Sequence, residues 1–453
     1  MFVEFLLGIF EHHNQAEALV WKHNSYTYGA LLQETREWQR KLEELAIPAG
    51  AVVIVEADYS PTALALLLAL VSRGTIVVPI SSAARAKRQE FIEIAQGEWS
   101  ITLSADDDFN CTKLGRTASH PLYSKLRSDG HPGLVVFSSG STGKSKGAVH
   151  DFVPLLEKFK TPRKAFRTVP FLLFDHLGGI NTILYTLSNG GCVVTVSSRT
   201  PDGVLADVER HRVELLPTSP TFINLILISE AYKRHDLSSL KVVTYGTEPM
   251  PESTLKRFHA LFPNITLQQT YGLSEIGVLR SKSKSSDSLW VKVGGSEFQT
   301  RVVDGILHIK GASVMLGYLN AENPFTPDGW LNTGDRVLQD GEYIRILGRE
   351  SEIINVGGEK VYPAEVESVI QEMDNVVDVT VFKERNMITG HIACARVTLR
   401  TPEDPQEFTH RLKQHCSKHL DRYKIPVKVK ITEHAQYSER FKRIRGEQFS
   451  ATR

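Results

Sequence analysis

Cysteine is scarce in this chain: its 453 residues include four, Cys111, Cys192, Cys394 and Cys416. They lie far apart and none forms a C-x-x-C, which excludes a disulfide framework and a zinc ribbon and fits a reducing, cytoplasmic compartment. A surplus of either charge is also missing. Lys and Arg number 53 against 52 Asp and Glu, a formal net charge of +1. Nucleic acid and acidic surfaces are therefore not implied as main partners. Long apolar runs are absent too, since the longest, ALALLLALV at 63–71, is too short to span a bilayer. The opening MFVEFLLGIFEHH carries Glu4 and no basic segment, so it reads as an amphipathic helix packed on the body rather than as a secretory leader. No repeat recurs at a fixed period. What is present is a globular composition, 41% hydrophobic and 23% charged, on a chain too long for one ordinary core.

Short apolar strands alternate with helical patterns along the first 200 residues. AVVIVEA (51–57), TIVVPI (75–80), GLVVFSS and GCVVTVSS read as buried strands, and SPTALALLLALVSRG reads as a helix. The series continues through VELLPTSPTFINLILISEAY and LKVVTYGTEPM. Such strand–helix–strand units predict a doubly wound α/β layer. From about residue 285 the texture changes to short strands separated by Gly and Asp turns: RVVDGILHIKG, GYLN and DGEYIRILGRE. These predict a small β-rich subdomain. After GRESEIINVGGEK comes a compact α+β tail of about 100 residues, a normal domain size. The expected fold class is thus α/β, with a large N-terminal domain of doubly wound sheets plus the β-rich subdomain, then a small mobile α+β C-terminal domain. The polar stretch Arg349–Glu352 sets the expected division at 1–348 and 349–453.

VVFSSGSTGKSKGAVH (135–150) carries the first chemical signal. An apolar strand gives way to three glycines, three hydroxyl residues and two lysines. Glycine lets backbone N–H groups approach an anion, and hydroxyls and lysines add donors and charge. Gly143-Lys144-Ser145 matches the end of a Walker A loop, but Ser138 stands where that loop starts with glycine. GAVHD then reads as a strand or loop, where a Walker loop is followed by a helix. A Ser/Gly-rich surface turn is the plainer alternative.

Several segments taken in order resemble the adenylate-forming enzymes, the superfamily of acyl-CoA synthetases, adenylation enzymes and luciferases. Ser138–Gly147 is similar to that family's phosphate loop, [ST]-S-G-[ST]-T-G-x-P-K-G, with Ser145 where proline is usual. The resemblance assigns Ser138, Ser139, Gly140, Ser141, Thr142, Gly143 and Lys146 to the phosphates of ATP. TYGTEPM (244–250) resembles the adenine-wall segment, with Gly246, Thr247, Glu248 and Pro249, although a strand ending in a turn explains it as well. QQTYGLSEIG (268–277) is more specific: Thr270, Tyr271 and Gly272 would contact the nucleotide, Ser274 the α-phosphate, and Glu275 would hold Mg²⁺. WLNTGDRV supplies Asp335 for the ribose hydroxyls, and Arg349 would be a second ribose contact. Ser351 stands where the family's hinge has Asp or Lys, and Gly357-Gly358 would line the thiol path after domain rotation.

Near the end the family has G-K-x-x-R. Here Lys442 and Arg445 keep the spacing and Phe441 replaces glycine. Lys442 is the expected catalytic lysine, with a solvated basic tail as the alternative. PFLLFDHLGGIN (170–181) places His176 at the acyl-site gate, counted back from Gly190. Asp175 precedes it and Leu177 follows, which favours an acid without an α-amino group, though a one-residue shift would reverse that. The resemblance implies formation of an acyl-adenylate from ATP and a small carboxylic acid, then transfer to a thiol of CoA or of a phosphopantetheine carrier protein. The rivals are a stand-alone adenylation enzyme that loads an acyl carrier protein, a γ-phosphoryl P-loop NTPase, and a catalytically decayed nucleotide-binding protein.

Overall fold

The structure, a computed structural model, describes residues 2–139, 144–295 and 297–445. Its large N-terminal part is built on two seven-stranded sheets. In one, Thr266–Gln269, Val242–Tyr245, Leu215–Thr218, Arg167–Thr168, Cys192–Val194 and Glu17–Trp21 run parallel, with Asn24–Thr27 antiparallel at the edge. In the other, Gly133–Ser139, Ile76–Ile80, Val52–Glu56 and Trp99–Leu103 are parallel, flanked by antiparallel strands on both sides.

The helix Pro61–Ser72 shows why the sheets come together. Ser60 caps it by accepting from the Ala63 N–H at 3.0 Å, Pro61 presets the first turn, and ten of its residues are buried. A helix that is apolar all round must be covered all round. It sits in one hydrophobic cluster with Leu19 and Val193 of the first sheet and Val53 and Val55 of the second. The N-terminal helix, Glu4–His12, joins that cluster through Leu6, Leu7 and Phe10, as its amphipathic pattern predicts.

The β-rich subdomain is a six-stranded antiparallel sheet that starts at Ser281–Ser283, a little before the expected change of texture. GYLN does not belong to it. Gly317–Tyr318 pairs with Ser145–Asp151 on the edge of the second large sheet. A two-residue strand carries no periodicity, and its partner is chosen by tertiary packing.

The C-terminal part holds Val376–Asn386 and Gly390–Leu399 in an antiparallel pair, extended by Lys428–Ile431 and by Ile354–Val356 with Glu359–Val361. Helices Pro363–Gln371 and Pro405–His419 cover a separate core that includes Val366, Val379, Val397, Phe408 and Leu412. The strand Tyr343–Arg349 and the 3₁₀ turn Glu350–Glu352 lead into this part. Among the described residues no helix is long and apolar enough to cross a membrane.

Candidate active site

The strand Gly133–Ser139 turns back antiparallel onto Ser145–Asp151, with Ser138 opposite Lys146. The phosphate loop therefore joins two strands of a hairpin and does not open a helix, so the Walker reading fails on topology. Gly140, Ser141, Thr142 and Gly143 lie outside the described residues. The trailing edge is braced. Ser145 is buried, its N–H donates to Glu90 Oε1 at 3.0 Å, and its carbonyl accepts from Asn320 at 2.8 Å. That N–H holds the Glu90 carboxyl below its ordinary range. Proline has no N–H to give, which accounts for serine at this position. The Lys146 ammonium lies 5.3 Å from the Tyr318 ring centroid.

Asp335 and Arg349 face each other across paired strands, and Nε of Arg349 lies 3.5 Å from Asp335 Oδ1. Tyr271 donates its hydroxyl to Asp335 Oδ2 at 2.6 Å. Burial pushes the Asp335 carboxyl up, while the Arg349 charge and the Tyr271 hydroxyl oppose that shift. These are the groups assigned to the ribose and adenine, drawn from strands 64 residues apart in sequence.

Glu275 accepts a hydrogen bond from the Tyr318 hydroxyl through Oε1. Its Oε2 is buried without a hydrogen-bond partner among the described residues. An orphaned, hard carboxylate oxygen beside a phosphate loop fits a Mg²⁺ ligand. His150 fixes the preceding residue: its Nε2 lies 2.6 Å from the Ser274 carbonyl oxygen. Burial holds His150 at about 4, so it is neutral and that nitrogen donates. Sequence reasoning missed both Tyr318 and His150. His150 stood in the quoted loop segment, while Tyr318 stood in the misassigned strand.

Backbones close the adenine side. A Cβ on Gly246 would come 2.7 Å from Thr270 O, and one on Gly272 would come 2.5 Å from Gly277 O. Thr247 holds φ at +74°, a left-handed conformation that is costly for a β-branched residue and concentrated at functional sites. Glu248 has another partner: Oε1 accepts from the Thr221 N–H at 2.9 Å and Oε2 from the Arg443 N–H at 3.1 Å. Its carboxylate thus holds the segment that carries Lys442. Pro249 packs toward Gly348.

That segment is a hairpin in which Tyr437 bridges Arg443. Phe441 takes φ +52°, the backbone shape glycine would adopt freely. Its ring is buried against Phe171, Phe222 and Tyr437, at centroid distances of 5.4, 4.9 and 5.5 Å. Its carbonyl accepts from Ser219 at 2.8 Å. The departure from glycine therefore preserves the turn and adds an anchor. Arg440 pairs with Oδ2 of the buried Asp175 at 2.7 Å, while Oδ1 of Asp175 has no hydrogen-bond partner among the described residues. His176 caps the helix Leu177–Ser188, and its Nδ1 accepts from the Gly178 N–H at 3.0 Å. Burial, and then the charges of Lys442 and Arg440, hold it neutral at about 3. Lys442 itself is pulled down by burial and by the nearby Arg349 charge, with Glu248 opposing. The Lys442 charge thus acts on His176, and the Arg349 charge on Lys442. Ser351 sits on the exposed 3₁₀ turn, and its carbonyl accepts from Lys383.

A cavity of about 690 Å³ opens beside Gly246, Thr247 and Thr270 and runs along the helix Leu177–Ser188.

Residues 9–319 match the family model described as AMP-binding enzyme, and residues 365–442 match AMP-binding enzyme C-terminal domain. Acyl-CoA synthetase 7 of Caenorhabditis elegans is 31% identical over 325 residues, which is 64% of this chain and 60% of that protein. Indoleacetate–CoA ligase of Aromatoleum aromaticum is 28% identical over 66% of this chain and 63% of its own length. The chain thus covers under two thirds of the length of these relatives. A 4-coumarate–CoA ligase-like protein of Arabidopsis thaliana is 26% identical over 84% of this chain and 78% of its own length. The solved o-succinylbenzoate CoA synthetase of Bacillus subtilis shares the fold, with a TM-score of 0.78 at 20% identity over 99% of this chain and 98% of that one.

Proposed function

The chain belongs to the AMP-binding enzyme family, and on that premise we propose that it is an AMP-forming acid–thiol ligase. A carboxylate oxygen attacks the α-phosphorus of ATP, the bond to the β-phosphate oxygen breaks, and pyrophosphate leaves. A thiol sulfur then attacks the acyl carbon of the adenylate and AMP departs. The observation that carries this reading is the half-buried Lys442 beside the Arg349 charge, where the carboxylate and the α-phosphate would meet. A desolvated ammonium acts strongly on charge that develops nearby. Asp335 and Arg349 hold the ribose, Tyr271 orients Asp335, and neutral His176 borders the acyl site. Glu275 would hold Mg²⁺, which when bound neutralises phosphoryl oxygens. The Asp175 carboxylate is engaged by Arg440 through Oδ2, and Leu177 rather than an Asp follows His176, which supports a plain carboxylic acid. CoA is the proposed acceptor, because the similar curated proteins are named as CoA ligases or synthetases; a carrier protein is the alternative acceptor.

Pyrophosphate release from Mg·ATP with a panel of acids, read with and without CoA, tests the reaction. Lys442→Ala should lower adenylation by about 10²–10³-fold yet spare thioester formation from a supplied acyl-adenylate. Equal loss of both half-reactions would count against a lysine that serves only the first. ADP as the nucleotide product would refute the reading outright.

A further inference from the structure

The far end of the acyl cavity is cationic. Its lining includes Lys158, Arg163, Arg280, Lys282 and Lys292 and contains no Asp or Glu. Lys292 is paired with Glu342 at 2.5 Å, and Lys282 is exposed. The other three gather at one place. Burial, and then the Arg280 charge, lowers the protonation of Arg163; burial lowers that of Lys158 too, with the Arg163 charge adding to it. Three cations face a single carboxylate: Glu297 lies 3.8 Å from Arg280 and acts on the other two at longer range. Lys158 is half-buried, and its Nζ donates to the Val278 carbonyl at 2.9 Å. An ammonium has three protons to donate, so this bond leaves two.

The helix Leu177–Ser188 gives the distance from the reacting end. Gly178, Asn181, Thr182, Tyr185 and Asn189 line the cavity in turn, the spacing of one helical face. His176 caps the start of this helix beside the Lys442 charge. At its other end Asn189 accepts from the Arg163 backbone N–H, and Tyr185 donates its hydroxyl to Lys164 O at 3.2 Å. Seven residues separate Gly178 from Tyr185, about 10 Å at the helical rise. Between the ends the walls are apolar, with Phe166, Leu172, Val278 and Leu279. Three cations against one carboxylate leave this end of an apolar channel net positive, a field that attracts an anion.

Resting on the acid-activating reading above, we propose that the substrate carries a second oxyanion, such as a distal carboxylate. It lies on the order of 10 Å from the carboxyl that is adenylated and is held by Lys158, Arg163 and Arg280.

The test is acid-dependent ATP–pyrophosphate exchange without any thiol, using matched pairs: dicarboxylic acids with an apolar spacer, and the same acids with the distal carboxyl as methyl ester. Hydrogen bonds to charged groups imply that the diacid wins by about 10- to 100-fold in kcat/KM, mostly through KM. Arg163→Met and Arg280→Met, both at exposed side chains, should each lower the diacid-to-ester ratio by about tenfold. An unchanged thermal midpoint would show that the fold is kept. Equal use of both members of each pair overturns the proposal and leaves acid activation standing, as does an equal loss for both members in the variants. Effects that surface only when CoA is added would assign the cations to the phosphates of CoA and also overturn it. No exchange with any acid would instead fell the acid-activating reading itself.

Discussion

Single residues decide how the phosphate loop is held. Ser145 looks like a loss of the family's proline, but its N–H is spent on Glu90. Ser145→Pro should therefore destabilise the protein by about 1–3 kcal/mol, read as a lower midpoint in urea, because a partly buried carboxylate loses its donor and the start of the strand Ser145–Asp151 loses its brace. A midpoint equal to or above that of the parent would show that the bond to Glu90 contributes nothing. Phe441 teaches the same lesson. Spacing alone marks it as a departure from glycine, while φ +52° shows that the turn is kept. Sequence displays residue types and their intervals; it does not display a dihedral angle or which aromatic rings will surround a side chain.

At the level of elements, the strand Ser145–Asp151 links the glycine-rich segment to the proposed metal ligand Glu275. Alternation puts Lys146 and His150 on one face of it, the phosphate-loop lysine and the histidine that fixes Ser274 beside Glu275. This makes stability depend on pH with a definite sign. His150 is held at about 4 and His176 at about 3, both below the ordinary histidine value. Between pH 6.5 and 4 the unfolded chain takes up protons that these folded histidines refuse. Stability therefore falls as pH falls, by up to about 1.4 kcal/mol per pH unit for each histidine. Denaturant midpoints from pH 7.5 downward should show it, and His150→Gln, which retains a donor for Ser274, should make the slope shallower. An identical slope in the variant would remove His150 as a source. Most elements were legible from apolar runs and caps, since a buried parallel strand or an all-apolar helix has few other readings. Pairings across the chain were not: Arg440 and Asp175 are 265 residues apart, and no local pattern joins them.

On the scale of the whole molecule, the hairpin bearing Lys442 is fastened to both parts. Arg443 and Arg445 both reach Glu367, which is fully buried, and Arg443 also pairs with Asp378 at 2.9 Å. These contacts lie within the C-terminal part. The N-terminal part holds the hairpin through the Phe441 ring, the Ser219 bond to the Phe441 carbonyl, the Glu248 contact and Arg440. Phe441→Gly should loosen that docking. The lost aromatic burial, about 3–5 kcal/mol for a buried ring, exceeds the roughly 1–2 kcal/mol of left-handed strain it relieves. Expected are faster proteolytic cutting near Glu350–Glu352 and slower adenylation. Faster adenylation with unchanged cutting would mean that the ring obstructs rather than anchors.

The attachment of the hairpin to Glu367 and Asp378 also bears on direction. A swing of the C-terminal part that keeps these ion pairs would carry Lys442 with it. The reverse reaction, pyrophosphate attacking the acyl-adenylate to rebuild ATP, passes through the same transition state and needs the same ammonium. On the proposed mechanism, one movement that opens the thiol's route would also shut the way back, and the joint would act as a check valve on the first step.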